Sequence, residues 1–114
     1  MTYEALWIRY FALTVAIELA VALPLLRSTG ATLARRTAAV LLANVASHPI
    51  LWFVLARVLA SRTSLIVIGE SWAVASEAVV YVLVFPTLPR VRAVGVSAVA
   101  NAVSFLVGTA LAYL

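Results

Sequence analysis

The stretch ALWIRYFALTVAIELAVALPLL, residues 5–26, decides the fold. It is close to the ~20 residues that a helix needs to cross ~30 Å of hydrocarbon. Helix is the form that satisfies every backbone donor and acceptor locally in lipid. A cleaved leader is not expected, because Glu4 precedes the apolar run, no basic cluster opens it, and its length is that of a full span. Working outward, three further runs of similar length follow, at about 37–60, 65–86 and 93–114. Their connections carry the turn and charge signals, RSTGATLARR at 27–36, SRTS at 61–64 and TLPRVR at 87–92.

Composition agrees with four spans. Of 114 residues 66% are hydrophobic and 11% charged, and the mean hydropathy is +1.15. A soluble domain of this size could not hide so much apolar surface. The chain therefore reads as an all-α membrane protein forming a single domain over residues 1–114, with the lipid bilayer as its first partner. The net charge of +4 comes from arginine alone, since lysine and aspartate are absent. So few charges give no basic face for nucleic acid. Without cysteine there are no disulfides, thiolate metal sites or thiol nucleophiles.

The arginines act as topology signals. Arg27, Arg35, Arg36, Arg90 and Arg92 lie in the first and third loops, against Arg9, Arg57 and Arg62 at the other end. Five against three predicts loops one and three in the cytoplasm and both termini outside. Tyr3, Trp7, Tyr10 and Tyr113 then fall near the outer interface, and Arg9 and Arg57 are placed to snorkel or to pair with Glu4 or Glu70. An arginine-only, alanine- and valine-rich composition is associated with high-GC bacteria, and a bacterial inner membrane is the expected location.

The same polar signature occurs in both halves. Glu18 lies in the first run and ANVAS (43–47) in the second; Glu77 lies in the third and ANAVS (100–104) in the fourth. The separations Glu18 to Asn44 and Glu77 to Asn101 are 26 and 24 positions. This predicts two tandem helical-hairpin repeats, about 5–60 and 65–114, running in the same direction and related by a pseudo-two-fold axis along the membrane normal. Two such hairpins make a four-helix bundle.

Each run carries one polar stripe at helical spacing. The stripes are Thr14 and Glu18; Asn44, Ser47 and His48; Glu70, Glu77 and Tyr81; and Ser97, Asn101, Ser104 and Gly108. Counted from the outer end, Glu18, His48, Glu77 and Asn101 lie on the order of 18–20 Å deep. Glu70 lies about two turns nearer the outside, where it would mark the mouth of an inward path. Phe11 matches Glu70 in the first half, and Phe105 matches His48 in the second. Pro49 frees the carbonyl of Val45, which a ligand or a serine could take up.

Ionisable groups inside lipid are costly and point to function. Glu18, Glu77, His48, Asn44 and Asn101 form a thiol-free, oxygen-rich set suited to a divalent cation, with Ser47, Ser104, Glu70 and Tyr81 as access or secondary residues. The same carboxyl pair could share a proton and serve a proton-coupled carrier. Bland readings stand beside these. Asn-x-x-Ser is common interhelical glue, a buried carboxyl can stay protonated, His48 can be a bundle histidine bonded to a glutamate, and Trp52 and Trp72 can simply pack. Cation transport or binding leads. A structural or accessory subunit of a larger membrane complex is the rival, and an intramembrane hydrolase using Glu70 or Glu77 with His48 is the third. HExxH, GxSxG and P-loop signatures are absent, so the reading leans away from an enzyme. Four helices are few for a permeation path, so a homo-oligomer is expected.

The runs ANVASHPILWF (43–53), Glu70 to Tyr81 (Glu-x6-Glu-x3-Tyr) and NAVSFLVG (101–108) resemble those of small bacterial four-span membrane proteins of unassigned function. The resemblance covers most of the chain. It implies the four-span architecture and carries no activity with it.

Overall fold

In a computed structural model, which describes residues 1–112, four helices account for nearly the whole chain. Helix α1 spans Tyr3–Leu25, α2 Leu33–Val58, α3 Arg62–Val84 and α4 Arg90–Ala112. All four are long and apolar enough to cross a membrane. Each begins two to four residues before its apolar run, because the starts are set by caps in the polar connections. Thr2, Thr32 and Ser61 accept from the backbone N–H groups of Ala5, Arg35 and Ser64. The expected middle loop therefore shrinks, with residues 62–64 already helical. Beyond α1, Leu26–Thr29 tightens into a 3₁₀ turn that ends on Gly30, whose φ of 73° is the left-handed conformation glycine adopts freely.

Each helix packs against its neighbours in the chain, and α1 also packs against α4, so the four close a ring with α1 opposite α3 and α2 opposite α4. Directions alternate. The Tyr3 hydroxyl at the start of α1 donates to the Trp52 carbonyl near the end of α2 at 2.6 Å. At the other end Arg35, opening α2, donates to the Val84 carbonyl closing α3. The bundle is 40 Å long and about 22 Å across, with cross-sections of 23 and 21 Å, enough to span the hydrocarbon and reach both interfaces.

The packing is inverted relative to a soluble bundle. Large aliphatic side chains such as Leu42, Val67, Val79, Leu83 and Leu106 are exposed around the outside. Small residues, Ala22, Ala39, Ala43, Ala73 and Ala100, are buried between the helices, where they allow close approach. Leu26, Val40, Tyr81, Phe85, Leu88 and Val96 fill the interior toward the end that carries loops one and three. That end is an apolar plug.

The arginines of the first loop also hold this end together. Arg36 donates to the carbonyls of Leu23, near the end of α1, at 2.8 Å and of Ala31, just before α2, at 3.2 Å. The Arg35 guanidinium stands 5.8 Å from the Phe85 ring.

One irregularity interrupts α2. Within a turn of Pro49 the helix widens at Leu51–Leu55, and the Ala56 N–H bonds back five residues to the Leu51 carbonyl. The missing N–H of Pro49 frees the Val45 carbonyl one turn earlier, and the wide turn follows within a turn of the proline. Gly69 on α3 lies opposite, where even a Cβ would stand 2.5 Å from Leu51 Cδ1.

Candidate intramembrane polar site

Spacing of three and four along each helix turns the polar stripes inward. Glu18, Asn44, Ser47, His48, Glu77, Ser97 and Asn101 are all buried. Glu18 and Glu77 are 0% exposed although they come from diagonally opposed helices. Their carboxyl groups meet across the bundle axis as direct neighbours, with Asn101 beside Glu77. The Ser47 hydroxyl donates to Glu77 Oε2 at 3.1 Å. Both oxygens of Glu18 and Oε1 of Glu77 have no hydrogen-bond partner within the structure.

The two asparagines play the same local part. Asn44 Nδ2 donates to the Val40 carbonyl at 2.9 Å and Asn101 Nδ2 to the Ser97 carbonyl at 2.8 Å, each four residues back. Ser47 and Ser104 donate to the asparagine carbonyls three residues before them. Ser97 ties α4 to α3 through a 2.8 Å bond to the Val74 carbonyl. The Asn44 carboxamide oxygen is buried and unpartnered.

His48 stands apart from the carboxyl pair. Its ring packs edge-on against Phe11 at 5.5 Å, and its Nδ1 has no partner. The expected bond to a glutamate is absent. Among the described residues no three of His, Cys, Asp and Glu gather closely enough to hold a metal. The expected five-ligand set thus divides. Glu18, Glu77 and Asn101 adjoin, with Ser47 added, while Asn44 and His48 keep unpartnered polar atoms that no glutamate meets.

From the end opposite the plug a vestibule of about 540 Å³ runs into the bundle. Tyr10, Thr14, Arg62, Glu70, Ser104 and Thr109 line it, and it reaches down to the mostly buried His48 and Asn101. Asn101 therefore touches both the vestibule and the Glu18–Glu77 pair. Glu70 lines the vestibule wall. Tyr81 lies on the far side of the pair; it is 0% exposed within the plug and its hydroxyl has no partner.

Sequence reasoning missed two features. Trp72 is more than packing, because its indole N–H donates to the Ser47 carbonyl at 3.1 Å and steadies the serine that serves Glu77. By contrast, no side chain among the described residues donates to the Val45 carbonyl. The second is an aromatic wall of Tyr3, Trp7, Tyr10, Phe11, Trp52 and Phe53, with successive ring centroids 5.2–5.7 Å apart. The Tyr and Trp positions at the chain start hinted at it. Only the folding of α2 against α1 adds Trp52 and Phe53. Arg9 pairs with neither Glu4 nor Glu70; its guanidinium lies 3.8 Å from Met1 Sδ. Tyr113 lies outside the described residues.

The arrangement offers chemistry for a cation or a proton: an acidic pair sealed from one end, approached through a polar vestibule from the other, and free of a basic partner. Compared with protein-family models, curated proteins and solved structures, the chain matches none.

Proposed function

We propose that this is a small inner-membrane protein that binds and moves a cation, with protons as the coupled or sole species, at the Glu18–Glu77 pair. The observation that carries the reading is two fully buried, adjoining carboxyl groups with no arginine against them. In lipid such a pair needs a proton or a bound cation to offset its charge. Asn101 passes the occupant between vestibule and pair, and Ser47 orients Glu77. The apolar plug closes the opposite side, so movement to that side requires the helices around Tyr81, Leu26 and Phe85 to part. Loops one and three face the cytoplasm in this reading, and the vestibule opens outside.

The matching self-bonds of Asn44–Ser47 and Asn101–Ser104 support the two hairpins as parallel repeats. The many exposed aliphatic side chains allow the bundle to assemble with further copies as a homo-oligomer.

The test pairs elemental analysis of the purified protein with proton and cation flux in liposomes, for the native chain and for Glu18→Gln/Glu77→Gln. Either a stoichiometric metal or a cation-dependent proton release is expected in the native protein and absent in the variant. If the two proteins give the same metal content and the same flux, the pair is structural and the chain is an accessory subunit.

A further inference from the structure

Beyond the carboxyl pair, a second site is built around Glu70. A second, open-sided cavity of about 260 Å³, lined mainly by α2 and α3, shares Leu51, Trp52, Glu70 and Phe105 with the vestibule and adds Tyr3, Leu65 and Ile66. Apart from Glu70 its lining is apolar, since the Tyr3 hydroxyl is already committed to the Trp52 carbonyl. The Glu70 carboxyl group thus stands where a polar chamber meets an apolar one, and Trp52 and Phe105 line both. Trp52 is itself held between Tyr3 and Tyr10, with ring centroids at 5.4 and 5.7 Å.

No arginine offsets Glu70 among the described residues. Arg62, the vestibule's cation, is exposed and lies eight residues earlier on α3, about 12 Å along the axis. The junction therefore attracts positive charge and, through its rings, favours weakly hydrated cations over small hydrated ones. The apolar chamber beside it accepts a hydrophobic group attached to that charge. Together the cavities lie in the size range of small-molecule sites.

We infer that the Glu70–Trp52–Phe105 junction is a binding site for amphipathic organic cations, such as quaternary ammonium or phosphonium compounds carrying apolar groups. The charge rests against Glu70 and the Trp52 ring, and the apolar part fills the chamber lined by Leu65 and Ile66. The site does not depend on the Glu18–Glu77 pair moving any ion.

The experiment is equilibrium binding of tetraphenylphosphonium to the protein in nanodiscs, with tetraphenylborate, an anion of the same shape, as the control. Saturable binding of the cation and none of the anion is expected. Glu70→Gln should weaken it by at least about tenfold and Trp52→Leu severalfold. Glu18→Gln/Glu77→Gln should weaken it much less than Glu70→Gln does. Equal uptake of both ions would mean lipid partitioning, and would overturn the site, as would full affinity in Glu70→Gln. Binding lost only in the Glu18/Glu77 variant would overturn it too, while leaving the cation-handling role of the buried pair intact. Should Glu70→Gln fail to fold, the cation–anion contrast and Trp52→Leu decide the matter.

Discussion

At the scale of single residues, the carboxyl groups of Glu18 and Glu77 fill space between the helices and also impose a charge that must be met. The two roles separate by substitution. Glu18→Gln/Glu77→Gln keeps the volume and removes the charge, so thermal stability in detergent should hold or rise, since replacing buried ionic groups is often neutral or stabilising. Glu77→Ala leaves a void and limits the Ser47 hydroxyl to the Asn44 carbonyl, at a cost of about 2–4 kcal/mol in reversible unfolding. A stable Glu77→Ala protein, or a collapsed glutamine variant, would contradict the division. Ser47→Ala should cost only about 0.5–1.5 kcal/mol, the usual range for one hydrogen bond inside a membrane bundle. These carboxylates were legible in the sequence because a charge within an apolar run has few bland explanations. His48 was not. Residue spacing puts it on the inward stripe, but whether its ring meets a glutamate or Phe11 depends on how α1 and α2 rotate against each other, which no local pattern encodes.

At the scale of elements, the wide turn after Pro49 sets the outer half of α2. An extra residue in a turn rotates everything beyond it by about 100° relative to an unbroken helix. It therefore sets the facing of Ala56–Val58 at the end of the helix, while Trp52, inside the turn, lines the vestibule and packs on Tyr3. Pro49→Ala returns an N–H donor to the Val45 carbonyl, and about 1 kcal/mol or more of added stability is expected. The expected signature is a higher melting temperature, and an unchanged or lower one would refute it. Gly69 defines the facing surface. Gly69→Val pushes a branched side chain against Leu51 and should cost about 1–3 kcal/mol, seen as a lowered unfolding midpoint. The sequence announced the proline and its freed carbonyl. It did not announce the wide turn, because that depends on where Leu51 finds room against α3. Helix starts were misplaced for a related reason: hydropathy marks where lipid begins, whereas Thr2, Thr32 and Ser61 mark where hydrogen bonding begins.

At the scale of the molecule, the two ends of the bundle differ in kind. One is an apolar plug bound by Arg35 and Arg36; the other opens into the vestibule. Four spans and an inward polar face were readable from length and periodicity, but this polarity was not, since the stripes look alike in both halves and the plug is assembled from residues distant in sequence. The proposed orientation puts the plugged end in the cytoplasm, and the absence of cysteine makes it easy to test, because any introduced thiol reports without background. Ser28, in the turn after α1, and Ala60, between α2 and α3, are exposed at opposite ends. With intact cells and a membrane-impermeant maleimide, Ala60→Cys should be labelled, and Ser28→Cys only after the membrane is opened. The reverse pattern would invert the molecule and aim the vestibule at the cytoplasm. Arg27, Arg90 and Arg92 make no side-chain hydrogen bond in the structure, whereas Arg35 and Arg36 bond the ends of α3 and α1. Arg27→Gln/Arg90→Gln/Arg92→Gln would therefore remove the bias with little loss of packing. The labelling of Ala60→Cys should then become mixed between the two sides while the melting temperature stays near that of the parent. That outcome would separate the charge that orients the bundle from the arginines that also hold its plugged end together.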